Sequence, residues 1–101
     1  MNMDDRADLP TSDRGRLEDA VDDVLRQLMR VAEAAPLAAL SIAARLECGA
    51  RDGGAQAAFV AAGEGRSWSE IGAAYGITKQ AAHQRFARRV HRMRKQGGDH
   101  R

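Results

Sequence analysis

The stretch from Ser67 to Thr78, SWSEIGAAYGIT, constrains the fold more than any other part of the chain. Ser67 and Glu70 stand in the Ser-x-x-Glu spacing of a capping box, in which each side chain satisfies a backbone N–H that the other end of the first turn leaves unpaired. The spacing therefore predicts a helix starting at Trp68. Gly76 stops it early, because a glycine takes the left-handed conformation that a tight helix end requires. Thr78 is suited to cap a following helix. Two helices joined so closely must cross steeply. The apolar positions agree: Ile71 and Tyr75 fall inward on the first helix, Ile77 plugs the turn, and Ala82 and Phe86 lie four apart on the second. Gly72 keeps the crossing point small, and Trp68 is expected to pack on whatever helix comes before.

The rest of the chain reads as helical too. Residues 1–13 are polar and acidic and carry Pro10, which predicts a disordered N-terminal segment. A helix is expected to start between Asp13 and Arg16. Glu18, Asp19, Asp22 and Asp23 crowd its first turns, where the helix dipole favours negative charge. Asp22 and Arg26 have the spacing of a favourable ion pair. Leu17, Val21, Val24, Leu28, Val31 and Ala35 follow one another at spacings of 4, 3, 4, 3 and 4, a heptad-like seam that Leu25 and Ala32 widen. Leu17, Val21, Val24, Leu28 and Val31 are thus either the core of a monomer or a dimer interface.

Pro36 ends or kinks this helix. Leu37, Leu40, Ile42, Ala43 and Leu46 spread around a second helix to about Ala50, the pattern of burial on more than one side. Gly49, Gly53 and Gly54 signal a turn. A short third helix from Ala55 to Ala62, anchored by Phe59, precedes Gly63 and Gly65. The expected fold is all-α with about five helices. It comprises a helical pair over 14–50, a helix-turn-helix unit over 51–96 and a flexible tail over 97–101. Only four residues in a hundred are aromatic, and alanine dominates the apolar content, which suits close-packed helices better than sheets.

Charge is distributed unevenly along this organisation. Residues 1–35 carry a net −4, residues 36–77 a net −1, and residues 78–101 a net +7, giving +2 for the whole. A positive excess confined to one helix and its tail points to a polyanionic partner.

With these features in place, SWSEIGAAYGITKQAAHQRFARRV resembles the helix-turn-helix of small actinobacterial-type DNA-binding proteins and, more distantly, region 4 of sigma factors. The likeness covers about residues 55–92. It rests on acid–Ile–small, then aromatic–Gly–Ile–Thr, then a basic helix. Ala82 departs from it, since many such motifs carry Val or Ile there. The resemblance implies that the helix from Thr78 to about Lys95 enters the major groove of double-stranded DNA. Thr78, Lys79, Gln80, His83 and Gln84 would then meet base edges, with Gln80 suited to a bidentate contact to adenine. Arg85, Arg88, Arg89, Arg92, Arg94 and Lys95 would hold phosphates, which position a protein without reading sequence. Ser67 and Ser69 would do the same from the preceding helix start.

Other classes find little support. There is no phosphate-cradling Gly-rich loop, and no nucleophile–base–acid set suggests an enzyme. Cys48 stands alone, so it forms no internal disulfide, and it is expected to be a buried thiol in a reducing, cytoplasmic setting. The histidines lack acidic or cysteine companions at metal-binding spacings. No cofactor, small-molecule ligand or membrane span is expected. The function expected from sequence is a sequence-specific, homodimeric transcriptional regulator associated with the nucleoid. A nucleoid protein with little base preference is one alternative. A sigma-like helix-turn-helix module that binds a protein partner, with the N-terminal helices as a possible docking surface, is another.

Overall fold

The computed structural model describes the backbone of residues 2–99 and the side chains of residues 12–96. Among the described residues the chain is all-helical, in the order α1 (Asn2–Ala34), α2 (Pro36–Gly63), α3 (Trp68–Tyr75) and α4 (Lys79–Asp99). It divides into two compact units, Met1–Leu46 and Glu47–Arg101. Of the tail expected over 97–101, residues 97–99 continue α4 as helix, and the last two residues lie outside the described ones.

Two expectations about the elements are corrected. The helix expected near Asp13–Arg16 begins at Asn2, so the backbone of 2–13 is helical rather than irregular. No glycine interrupts that segment, and its acids at 4, 5, 8 and 13 stand toward the end of the dipole that favours them. The two helices expected on either side of Gly49–Gly54 are one helix, giving four helices instead of five. Each glycine weakens a helix by up to about 1 kcal/mol, but packing overrides that cost here. Gly54 lies under the rings of Phe86 and Tyr75, and Ala55 and Ala58 beyond it are fully buried. Pro36 does break the chain, at Ala35. There the Ala35 N–H still reaches the Val31 carbonyl at 2.6 Å, and the Ala39 N–H reaches the Ala35 carbonyl at 3.0 Å.

In the first unit the apolar positions are mostly uncovered. Leu17 is 66% exposed, Leu37 80% and Leu40 65%, and Val21, Val24, Leu25 and Met29 are exposed as well. Leu28 and Val31 are half-buried beside the break, and between residues 12 and 46 only Ala39 is fully buried. Burial on more than one side, expected for Leu37–Leu46, is therefore not found, and neither is a monomer core along Leu17–Val24. At the break, Leu28, Met29, Ala32, Pro36, Leu40 and Ala43 line an apolar groove of about 390 Å³ over Ala39. On the polar face of α1, Arg14 pairs with Glu18, Arg16 with Asp13, and Arg26 with Asp23 rather than with Asp22. These exposed pairs contribute at most about 0.5 kcal/mol each.

The second unit has a conventional core. Ala58 of α2, Ile71 of α3, and Ala82, Phe86 and Val90 of α4 are buried together. Phe59, Trp68 and Ile77 pack on the edge of this cluster. Cys48 lies two turns before Ala55, the first buried residue of this unit, and is exposed, contrary to the buried thiol expected.

Candidate nucleic-acid interface

The α3–α4 corner is built by backbone chemistry that the local sequence dictates. Ser67 Oγ accepts from the Glu70 N–H at 3.1 Å, and Glu70 Oε1 accepts from the Ser67 N–H at 2.9 Å, completing the capping box. This hydrogen bond from the Ser67 backbone holds the Glu70 carboxyl below the usual glutamate range, and neighbouring Arg66 adds to the effect. At the other end of α3, Gly76 is left-handed at φ 83°, and the Ile77 N–H closes back on the Gly72 carbonyl at 2.8 Å. That closure is a Schellman end. Thr78 Oγ1 then accepts from the Ala81 N–H at 3.0 Å and starts α4.

Gly72 is the tightest point of the corner. A Cβ there would stand 2.8 Å from the carbonyl oxygens of both Ile77 and Thr78. Its small size therefore serves the turn itself more than the body of α4.

The orientation of α4 follows from its buried side. At about 100° per residue, Ala82, Phe86 and Val90 form one stripe. Gln80, Gln84, Arg88, His91 and Lys95 form the opposite one, and all five are exposed. The residues expected to meet bases do not all lie in this row. Gln84 stands near its centre and Gln80 at its edge, toward His83. Thr78 is committed to the cap, and Lys79 is exposed at the first turn, nearer in projection to the core stripe. His83 is exposed on the flank, its ring edge-on to Trp68 with centroids 5.5 Å apart.

The expected phosphate-binding residues divide in the same way. Arg88 and Lys95 belong to the outward row, so Arg88 is a candidate reader of bases that sequence reasoning placed among the phosphate contacts. Arg85 and Arg92 project from one flank of α4, and Arg94 from the other. Arg85 lies over the Tyr75 ring at 5.1 Å, while Tyr75 meets Phe86 edge-on at 5.2 Å. Arg89 is half-buried and donates to Asp52 Oδ1 at 2.7 Å, so its charge is partly neutralised within the fold. Ser67 and Ser69 are exposed at the start of α3. The capping box already uses the Ser67 and Glu70 N–H groups and puts a carboxylate beside them, which leaves that helix end less suited to a phosphate than a free one.

Two residues outside the expected set join the site. Asp52 anchors Arg89. Arg51 borders the same recess as Arg85 and Arg89, on the flank of α4. No local spacing signals either one, since the Asp52–Arg89 pair spans 37 residues.

Comparison with known proteins finds no matching family model, no matching curated protein and no matching solved structure. The residues themselves are what the functional reading rests on. Among the described residues no group of three His, Cys, Asp or Glu comes together to hold a metal ion, and no helix is long and apolar enough to cross a membrane.

Proposed function

We propose that the protein is a sequence-specific DNA-binding transcriptional regulator of the small actinobacterial helix-turn-helix kind, acting as a homodimer on the nucleoid in the cytoplasm. The observation that carries this reading is the outward row Gln80–Gln84–Arg88–His91–Lys95 on a helix whose opposite stripe is fixed in a core. Glutamine and arginine are the side chains that pair bidentately with adenine and guanine edges in the major groove. The net +7 of residues 78–101 supplies the attraction to phosphate.

The arginines on the flanks then have a natural place. A helix lying in the major groove turns its sides toward the two phosphate backbones. Arg85, Arg92 and Arg51 stand on one side, and Arg94 on the other.

Titration of a labelled mixed-sequence duplex at two salt concentrations tests the reading. Binding that weakens steeply with salt is expected. Absence of binding at low salt would overturn it and favour a protein partner for the same surface.

A further inference from the structure

We infer that the uncovered apolar face of the first unit is completed by a second copy of this chain, with α1 pairing antiparallel to the partner's α1. This deepens the homodimer reading above by naming the contacts and their direction.

The need for a cover comes from burial. On α1, Leu17, Val21, Val24, Leu25 and Met29 are each between 39% and 67% exposed, and Ala39 alone is fully buried between residues 12 and 46. A helical unit ordered in this way lacks a core of its own.

The seam can pair with a second copy, and charge sets its direction. The spacings 4, 3, 4, 3, 4 from Leu17 to Ala35 read the same in both directions. Laid antiparallel, the seam meets itself without a gap: Leu17 against the partner's Ala35, Val21 against the partner's Val31, and Val24 against the partner's Leu28. A two-fold axis then passes α1 near Arg26, and every contact occurs twice, as a closed two-fold dimer requires. The same alignment carries the partner's Leu17 to the apolar groove at the Pro36 break.

Charge agrees with this direction. Residues 12–23 carry a net −3 and residues 24–34 a net +1. Antiparallel pairing sets the acidic half of one helix beside the basic half of the other and opposes the two helix dipoles. Parallel pairing would set −3 beside −3.

Cysteine crosslinking tests both the occupant and the direction. Exposed Cys48 is first removed by Cys48→Ser, and Val21→Cys and Val31→Cys are made separately in that background. Mild oxidation of the two variants mixed is expected to give a crosslinked pair joining 21 to 31, while neither variant alone crosslinks. Self-crosslinking of Val21→Cys alone would overturn the antiparallel arrangement. Sedimentation equilibrium of the unsubstituted chain is expected to give twice the 10.9 kDa chain mass. A single-chain mass at every concentration would overturn the dimer even if a cysteine variant failed to fold. Neither experiment contains DNA, so a monomer that still binds duplex would sink this inference and leave the DNA-binding reading standing.

Discussion

Gly72→Ala is the substitution whose effect the structure fixes most closely. The added Cβ would stand 2.8 Å from two backbone oxygens, those of Ile77 and Thr78, and 3.1 Å from the Thr78 carbonyl carbon. Ordinary carbon–oxygen contacts begin near 3.3 Å, so the turn would have to retreat by about half an ångström. Both oxygens belong to the backbone that closes α3 and starts α4, and neither can swing away as a side chain would. Overpacking of this kind costs about 1–3 kcal/mol, and a backbone obstacle places it near the upper end. Alanine's better helix propensity returns about 1 kcal/mol, leaving a net loss of about 2 kcal/mol. For the 55-residue unit Glu47–Arg101 this is a large share of a total stability of roughly 3–8 kcal/mol. A drop in Tm of about 8–16 °C follows. Thermal denaturation followed by circular dichroism reads it, with Gly53→Ala as the companion variant. Gly53 is also helical but faces open space, so alanine there is expected to stabilise by about 0.4–1 kcal/mol. Effects of the same sign and size at both glycines would refute the argument that the corner depends on this close approach.

Four further outcomes are expected. Gln80→Ala should cost about 1–3 kcal/mol on a preferred duplex and little on others, whereas Arg92→Ala should weaken all duplexes alike and reduce the salt slope by about 1, both read by anisotropy titration. Asp52→Asn should release Arg89, tightening binding at low salt and steepening the salt slope by about 1, at a stability cost of no more than about 1 kcal/mol. Because its folded pKa is depressed, Glu70 contributes stability that is present above the ordinary glutamate pKa and is lost as pH falls through the lowered value. Glu70→Gln should therefore differ from the parent in denaturant midpoint at neutral pH, and that difference should shrink as pH falls below about 4. If the proposed dimer forms through this seam, Leu28→Asp should give a monomer in sedimentation while leaving the α3–α4 unit folded, and unfolding of that unit would contradict placing the seam at an interface.

The α3–α4 corner was legible in the sequence because its determinants are local. Ser67, Glu70, Gly76 and Thr78 each act on backbone groups within five residues, and all four do what their spacing predicts. The glycines at 49–54 misled for the opposite reason. Their local preference for a turn is outweighed by Ala55 and Ala58 packing into the core, a tertiary effect that no short window contains. The seam from Leu17 to Val31 was legible as an apolar face but not as a face left open within the chain. Periodicity says which residues seek cover and not what covers them. On α4, nearness to the helix N-terminus chose the base readers and left every arginine to phosphate. The helical projection separates Arg88, which shares the row of Gln80 and Gln84, from Arg85 and Arg89, which turn toward Tyr75 and Asp52.

Selection of purified protein on a random-sequence duplex pool at about physiological salt, followed by sequencing, tests the central claim most directly. Two α4 helices presented by a two-fold dimer predict enrichment of an inverted repeat, with half-site centres about one helical turn, or a whole number of turns, apart. Retention of duplex with no enriched sequence would contradict base reading by Gln80, Gln84 and Arg88 and leave a phosphate-binding nucleoid protein.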